Sequence, residues 1–451
     1  MKCVQSCLLT QQCLNKAVLT LVRNMTCRAE TPFPVVQSPS PAVSDREKAT
    51  LYVHWPYCKR RCTYCNFNKY ISKNVDHHRM RNCLQCETQT LLRNSCVKEI
   101  KSVFFGGGTP SLAEPNTMEC VLETAAGEVD TVSDGAEISM EVNPTNFEAH
   151  RLREFKLAGI NRVSIGVQTL NDTALQILGR DHSSKDSLRC LELASSIFQK
   201  RTSVDLIFGY PGHSLKQWIQ ELQQMLQLCD SHISLYQLTL ERGTQLFKDV
   251  TCGRLVLPST DEVTDMYLAA VELLGLNGFE QYEVSNFAKG ANYCHHNISY
   301  WSGQQYIGIG PGSHGRVWRQ EAGQYQREAR IQTLEPENWM REVERDGHAT
   351  RKSTPQSSKE ILEELLSVGL RTKWGISSRA WSELLPDVSL DHLSSLPRSA
   401  RWLEEGYLMR TSQCLKATPS GLIILDSILP DLLLDLDTLT SRCETPVSTH
   451  T

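Results

Sequence analysis

The stretch HWPYCKRRCTYCNF, residues 54–67, places three cysteines at the spacing C-x3-C-x2-C among aromatic side chains. These are Cys58, Cys62 and Cys65. Three thiolates are too few for a closed structural zinc site, which takes four ligands. A [4Fe–4S] cluster held by three thiolates keeps one iron without a protein ligand, and such an iron can bind a substrate directly. Zinc with His54 as its fourth ligand is the competing interpretation.

Apolar, β-rich runs surround and follow this stretch and alternate with helical patterns. The runs are residues 50–56, 102–108, 137–144, 161–168, 203–212 and 232–240, and the clearest helical patterns are 146–159, 214–229 and 259–276. Strands that alternate with helices predict a parallel sheet, and six such units predict an α/β fold with a barrel or a partial (β/α)6 barrel. In such folds the chemistry lies at the carboxyl ends of the strands.

Polar or glycine-rich residues stand where these runs end. The first run leads into the cysteines, the second ends in GGGTP (106–110), and the third ends at Glu141 and Asn143. Gln168 closes the fourth run, and Asp205 lies inside the fifth. Because polar groups in buried strands are costly without partners, we expect one functional edge of the sheet. Ordinary strand-to-helix turns are the structural alternative.

The composition limits the classes of partner. The chain has 451 residues, 40% of them hydrophobic, with a formal net charge of −4. That balance is typical of a globular protein of two or three domains and gives no electrostatic reason to expect a nucleic-acid partner. Since no run of 18 apolar residues occurs in the sequence, we predict no transmembrane segment.

The two ends of the chain differ from its middle. The first 29 residues contain four basic residues and no acidic one, and TPFPVVQSPSPAVSD (31–45) has four prolines. We therefore predict a mitochondrial transit peptide and linker over 1–47, with a disordered cytosolic tail as the alternative. The main domain is predicted over 48–320. Residues 320–356 are polar and linker-like, so 321–451 is predicted to be a linker followed by a small, mostly helical domain.

The cysteine loop and three further motifs resemble a known superfamily. FFGGGTPS (104–111), EVNP (141–144) and GVQ (166–168) follow the cysteines in the order found in radical S-adenosylmethionine (SAM) proteins, in particular the coproporphyrinogen III oxidase branch. The resemblance implies a radical SAM barrel with a [4Fe–4S] cluster. It also implies that the methionine amine and carboxylate of SAM chelate the fourth iron, so that one electron from the cluster gives an adenosyl radical.

The resemblance also implies which residues bind SAM. Tyr52 matches the tyrosine near the cofactor, and Glu141 matches the acid that accepts hydrogen bonds from the ribose hydroxyls. Arg180 matches the basic residue that pairs with the methionine carboxylate. The other matching positions are Gly107, Gly108, Thr109, Pro110, Gln168 and Asp205. An ordinary ion-pair role remains the alternative for Arg180 and Asp205.

Phe67 separates two groups within this branch. The oxidase group carries C-x3-C-x2-C-x-C, whereas Asn66 and Phe67 follow Cys65 here. Phenylalanine at this position is typical of the HemW group of heme chaperones, and in this feature the sequence resembles that group. The resemblance to that group implies that heme is a ligand of the protein.

A second motif resembles the same group. HHNISYW (295–301) matches the pattern H-N-x-x-Y-W, in which His296 would ligate heme iron while Tyr300 and Trp301 cover the porphyrin. Cys294 and His295 are the alternative ligands. A turn held by hydrogen bonds is the structural alternative.

The resemblance implies a mitochondrial heme chaperone that binds a cluster, SAM and heme and delivers heme to client hemoproteins, including respiratory-chain components. Coproporphyrinogen oxidase activity is not expected, and no residue is assigned a catalytic role. An oxygen-independent coproporphyrinogen III oxidase is the first alternative. A radical enzyme acting on RNA is the second, but it would require a basic appendage that the net charge does not favour.

Overall fold

The computed structural model describes residues 46–321, 324–386 and 388–443. The predicted transit peptide at 1–45 therefore lies outside the described residues. Within them the chain forms two compact units. The larger unit contains residues 47–298 and 305–355, and the smaller contains residues 299–304 and the chain from 356 onward.

The larger unit is built on one extended sheet. Its strands are β1 (Lys48–Trp55), β2 (Tyr57–Cys58), β3 (Tyr70–Ile71), β4 (Glu99–Gly107), β5 (Thr131–Val142), β6 (Arg162–Gln168), β7 (Thr202–Phe208), β8 (His232–Gln237), β9 (Glu280–Gln281), β10 (Asn286–Ala288), β11 (Tyr306–Ile309), β12 (His314–Glu321), β13 (Gln324–Gln332) and β14 (Thr350–Pro355). The order in the main sheet is β14-β13-β12-β11-β1-β4-β5-β6-β7-β8-β10-β9, while β2 and β3 pair separately.

The six predicted strands are confirmed, and they are neighbours. β1, β4, β5, β6, β7 and β8 are all parallel. Within the described residues the sheet stays open, with β14 at one end and β9 at the other. The α/β fold with a partial barrel is therefore confirmed, and all six carboxyl ends meet at one edge.

The larger unit also contains ten helices among the described residues, several of which cover the apolar face of this sheet. They are α1 (His77–Arg93), α2 (Pro115–Glu128), α3 (Asn146–Leu157), α4 (Asp172–Ile177), α5 (Ser184–Phe198), α6 (Leu215–Leu226), α7 (Gln245–Thr251), α8 (Thr260–Leu276), α9 (His295–Trp301) and α10 (Pro336–Asp346). Several begin at a serine whose hydroxyl accepts a backbone N–H, as Ser214 does for α6 and Ser259 does for α8. The three helical patterns noted in the sequence correspond to α3, α6 and α8.

Alternation along the strands separates the two faces of the sheet. Leu51, Val53 and Trp55 of β1 are buried in the core with the helices. Tyr52 and His54 point to the other face, since successive side chains of a strand alternate. The same alternation places Glu141 of β5 on the polar face. Burial of each large apolar side chain on the helical face contributes about 1.5–3 kcal/mol.

The interpretation of residues 320–356 as a linker is wrong. This stretch contains β13, α10 and β14, and β13 pairs with both of its neighbours. Trp339, Met340 and Val343 of α10 are buried in the core of the larger unit. The composition is polar because the side chains of β14 are mostly exposed, while backbone hydrogen bonds hold that strand in the sheet.

The smaller unit is mostly helical, as predicted. It contains α11 (Ser358–Gly369), α12 (Ser378–Leu384), α13 (Leu390–Ser394), α14 (Pro397–Glu404), α15 (Pro419–Ile423) and α16 (Leu425–Cys443), with a three-stranded sheet of β15 (Ile376–Ser377), β17 (Cys414–Ala417) and β16 (Leu408–Arg410). Its core includes Leu366, Trp381 and Leu432. Over the described residues, none of the helices is long and apolar enough to cross a membrane.

Candidate functional site

The predicted acidic residues lie near each other on the parallel strands, Glu141 at the carboxyl edge and Asp205 in the middle of β7. Glu141 of β5 is paired with Ser164 of β6. The Ser164 hydroxyl donates to both carboxylate oxygens of Asp205 on β7, each at 2.9 Å. Only β6 separates the two carboxylates, so the sheet brings Glu141 and Asp205 to one region.

Burial changes the proton affinity of both carboxylates. It raises the pKa of Glu141 to about 8, and the nearby charge of Asp205 acts in the same direction. It raises the pKa of Asp205 to about 6, although hydrogen bonds from Ser234 and Ser164 favour the ionised form. Perturbed carboxylates at strand ends are typical of a binding site.

The cysteine loop starts at the same edge. Cys58 is buried on the short strand β2, and Cys62 and Cys65 are half-buried. Thr63, between them, donates its N–H to Leu178 O at 3.0 Å and its hydroxyl to Ile177 O at 2.7 Å. The loop is thus fastened to the end of α4.

Two of the three sulfurs accept hydrogen bonds from predicted SAM residues. The Thr109 hydroxyl donates to Cys58 Sγ, and the Arg180 guanidinium donates to Cys62 Sγ, each at 3.4 Å. Burial raises the pKa of Cys58 to about 11 in spite of the Thr109 bond. A cation such as iron would be needed to hold this thiol as a thiolate.

The hydrogen bonds of His54 argue against it as the fourth ligand of a zinc ion. Both ring nitrogens of His54 are hydrogen-bonded, Nδ1 to Tyr52 Oη at 3.0 Å and Nε2 to Asn68 O at 2.8 Å. In the part of the chain that the structure describes, no three His, Cys, Asp or Glu side chains converge to coordinate a single metal ion. Thiolates of an iron–sulfur cube each bind a different iron, so they do not have to converge on one point.

The glycine stretch packs closely against the His54 side chain and the backbone of Tyr57. Gly107 has φ +113°, and a Cβ there would lie 2.5 Å from the His54 ring. A Cβ on Gly108 would lie 2.8 Å from Tyr57 O. The Gly107 N–H donates to Glu141 Oε2 at 3.0 Å. Only glycine fits here, as a strand that must pass close to the cysteine loop requires.

Arg180 and Gln168 complete the edge. The buried Nε of Arg180 has no hydrogen-bond partner among the described residues. Gln168 has φ +68°, an uncommon conformation for a residue with a side chain. Such strain and an unsatisfied cationic donor fit an anionic ligand such as the SAM carboxylate, and the carboxylate of Glu141 fits a hydroxyl donor.

The predicted heme motif forms α9, and the Phe104 ring lies between its His296 and Tyr52 of the predicted SAM residues. The imidazole of His296 is buried, stacked on the Phe104 ring with centroids 5.0 Å apart, and its Nδ1 is 3.1 Å from Ser102 Oγ. Burial lowers the pKa of His296 to about 3. Cys294 is also buried, while His295 is exposed. Of the three candidate ligands, His295 is therefore the accessible one.

A buried ion pair that the sequence did not predict holds this motif. Glu137 and Arg162 lie 3.4 Å apart. Arg162 donates to Asn292 O and Tyr293 O, while Glu137 accepts the His296 N–H at 3.3 Å. The available signal was a charged residue inside each of two apolar runs, because such charges need partners when buried.

Tyr300 and Trp301 are half-buried and belong to the smaller unit, whereas His296 belongs to the larger. All three residues lie on α9. The structure thus places the predicted SAM residues together and the predicted heme residues on a separate helix.

Comparisons with known proteins agree with this geometry. The Radical SAM superfamily model matches residues 52–225. Radical S-adenosyl methionine domain-containing protein 1, mitochondrial, from Danio rerio is 49% identical over 86% of this chain and 88% of its own length. Heme chaperone HemW from Escherichia coli is 34% identical over 84% of this chain and 97% of its own. The chain belongs to the HemW-type family of radical SAM proteins.

A solved structure supports the fold of this HemW-type protein. Coproporphyrinogen III oxidase (HemN) from Escherichia coli superposes with a TM-score of 0.71 at 18% identity, covering 88% of this chain and 91% of that one. Membership of the radical SAM superfamily implies a [4Fe–4S] cluster and SAM. The mitochondrial location predicted from the sequence is confirmed by family members that are named mitochondrial.

Proposed function

We propose that this HemW-type protein is a heme chaperone that delivers heme to client hemoproteins and does not oxidise coproporphyrinogen. The observation that carries the proposal is Phe67, which stands where the oxidase branch has an additional cysteine. Its side chain is 39% exposed and cannot bind iron. HemW relatives that are 32–34% identical and carry the name heme chaperone support the same assignment.

In this proposal Cys58, Cys62 and Cys65 hold the cluster, and the carboxyl edge of the sheet holds SAM. When bound, the two groups supply one-electron chemistry. The side chains of the protein bind and orient SAM. Arg180 offers its unsatisfied Nε to the carboxylate of SAM, and Glu141 accepts hydrogen bonds from the ribose hydroxyls. The close packing at Gly107 keeps Glu141 at the glycine stretch.

The heme ligand is proposed within the motif on α9. His296 could reach heme iron only by leaving its stack on Phe104 and its bond to Ser102. His295 needs no such rearrangement because its side chain is exposed. We therefore propose His295 as the ligand in the described conformation, and His296 as the ligand only if α9 opens.

The chaperone function is tested by heme transfer. The full chain, reconstituted anaerobically and loaded with heme, is mixed with the apo form of a respiratory hemoprotein, and the Soret band of the acceptor is followed. Transfer that is faster than from free heme is expected. Conversion of coproporphyrinogen III to protoporphyrinogen by the reconstituted protein with SAM and a reductant would show an oxidase instead.

The ligand is tested with His295→Ala, His296→Ala and Cys294→Ala. Loss of the Soret shift in His295→Ala alone is the expected result. Loss in His296→Ala with unchanged thermal stability would assign the buried ring, since removal of a ring with only a packing role lowers stability. If none of the three changes the spectrum, heme binds away from this motif.

A further inference from the structure

A chain of hydrogen bonds joins two of the cluster cysteines through Asn143. Arg180 donates to Cys62 Sγ at 3.4 Å and to Asn143 Oδ1 at 2.7 Å. The Asn143 amide nitrogen donates to Thr109 Oγ1 at 3.3 Å. The Thr109 hydroxyl in turn donates to Cys58 Sγ at 3.4 Å. Asn143 follows directly after β5 and has no role in the site described above.

The chemistry of the partners fixes the direction of every bond. A guanidinium only donates, so the oxygen of the Asn143 amide must face Arg180 and its nitrogen must face Thr109. Since Thr109 Oγ1 accepts from that nitrogen, its own proton is free to point at Cys58 Sγ. An amide is the side chain that accepts on one side and donates on the other. A carboxylate of the same shape would accept on both.

We propose that Asn143 is a positioning residue that keeps a hydrogen-bond donor on Cys58 and another on Cys62, and that it thereby sets the reduction potential of the cluster. The inference rests on the proposed binding of the cluster by these cysteines. Donors to the sulfurs of a cluster stabilise its reduced, more negative state, and hydrogen bonds to the sulfurs are among the factors that set its potential. Partners behind the ligands orient them in the same way at other metal sites.

This chain of hydrogen bonds, the relay from Arg180 through Asn143 and Thr109 to Cys58, predicts that a nearly isosteric substitution of Asn143 removes the donor from Cys58. In Asn143→Asp, the carboxylate still accepts from Arg180, but it can no longer donate to Thr109. The Thr109 hydroxyl then turns to the carboxylate, and Cys58 loses its donor. Thr109→Val removes the same donor without adding a charge, while Thr109→Ser keeps the hydroxyl and serves as the matched control.

The experiment measures the midpoint potential of the reconstituted full chain without SAM, by a redox titration followed by electron paramagnetic resonance. We expect Asn143→Asp and Thr109→Val to disfavour reduction about tenfold, which is a shift of about −59 mV for a one-electron couple. Thr109→Ser should match the wild type. Asn143→Ala combined with Thr109→Val should shift the potential by less than the sum of the shifts in Asn143→Ala and in Thr109→Val measured alone, because both changes affect the same hydrogen bond to Cys58.

The outcomes separate the relay from the proposed function. A wild-type chain that takes up no iron and sulfide refutes cluster binding and the relay together. A chain that takes up the cluster but shows the same potential in all variants refutes the relay alone. If the double variant shows the sum of the single shifts, Asn143 acts independently of Thr109, and the relay is likewise wrong. Thermal denaturation of each variant checks that its fold is intact.

Discussion

At the scale of single residues, the candidate site is a set of polar groups that the fold leaves incompletely satisfied. Glu141 accepts a backbone N–H from Gly107, and the Nε of Arg180 is buried without a partner among the described residues. Buried polar atoms in native proteins nearly always have partners. A ligand with a carboxylate and hydroxyl groups would supply both.

The proton on Glu141 should control SAM affinity. Burial, with Asp205, raises the pKa of Glu141 to about 8, so the carboxyl is mostly protonated at neutral pH. Ribose hydroxyls bind the ionised form better, and affinity should rise with pH up to about pH 8, by at most about tenfold per unit. Equilibrium dialysis of SAM at several pH values measures this. Glu141→Gln should bind weakly with a flatter pH profile, and a parallel profile in that variant would locate the titration elsewhere.

Each cluster cysteine should be individually necessary. Cys58→Ala, Cys62→Ala and Cys65→Ala each leave two thiolates, which are too few to hold a cube with one open iron. Iron and sulfide analysis after anaerobic reconstitution should find no cluster in any of the three. Cys252→Ala, an exposed cysteine outside the loop, is the control. Full cluster content in one loop variant would remove that cysteine from the ligand set.

The sequence predicts which residues are chemically unusual better than it predicts which are accessible. Glu141 and Asp205 stand out because a charge inside an apolar run is costly. The burial of His296 could not be read in this way, because it depends on packing against Phe104 of a strand far away in sequence. Asn143 was visible at a strand end, but its partners are set by the tertiary fold.

At the scale of elements, hydrophobic pattern identified the six parallel strands, while the outer strands were missed. β14 has mostly exposed side chains, so its composition resembles that of a loop. The pairing of β12, β13 and β14 resides in backbone hydrogen bonds, which carry no sequence signature. The buried Trp339, Met340 and Val343 were the signal for α10 within the same stretch.

Glu87 of α1 is hydrogen-bonded to α10 and to the chain next to the outer strands β11 and β14. It is fully buried and accepts from Gly310 N at 2.7 Å, Ala349 N at 2.9 Å and Trp339 Nε1 at 3.1 Å. Glu87→Ala would leave these donors without an acceptor. Because an unsatisfied buried donor costs about 1–3 kcal/mol, we expect a loss of about 3 kcal/mol or more in unfolding free energy. Denaturant unfolding measures it, with the exposed Glu123→Ala as control.

The carboxyl of Glu87 also makes the free energy of unfolding depend on pH, and the direction of its pKa shift fixes the sign. Burial raises the pKa of Glu87 from 4.5 to about 7. A raised carboxyl pKa contributes stability that is present below about pH 4.5 and is lost as pH rises to about 7. The stability of the wild type relative to Glu87→Gln should therefore fall by about 3 kcal/mol over that interval. A difference that stays constant with pH would show that Glu87 does not titrate in this range.

At the scale of the whole molecule, the family assignment and the fold come from the described residues, whereas the predicted transit peptide lies in residues 1–45, outside them. That segment has four basic residues, no acidic residue before Glu30, and a proline-rich end. These are features of a mitochondrial transit peptide, since import selects basic, acid-poor segments. The relatives named mitochondrial bear on location alone and do not identify the segment that directs it.

A reporter fusion tests the segment itself. Residues 1–45 joined to a fluorescent protein should reach mitochondria, because a transit peptide directs import without the folded units. Replacing Lys2, Lys16, Arg23 and Arg28 with Glu reverses the charge without changing the length, and this matched fusion should stay in the cytosol. Diffuse fluorescence from both fusions would mean that targeting requires residues beyond 45. Mitochondrial fluorescence from both would mean that the basic residues are not the signal.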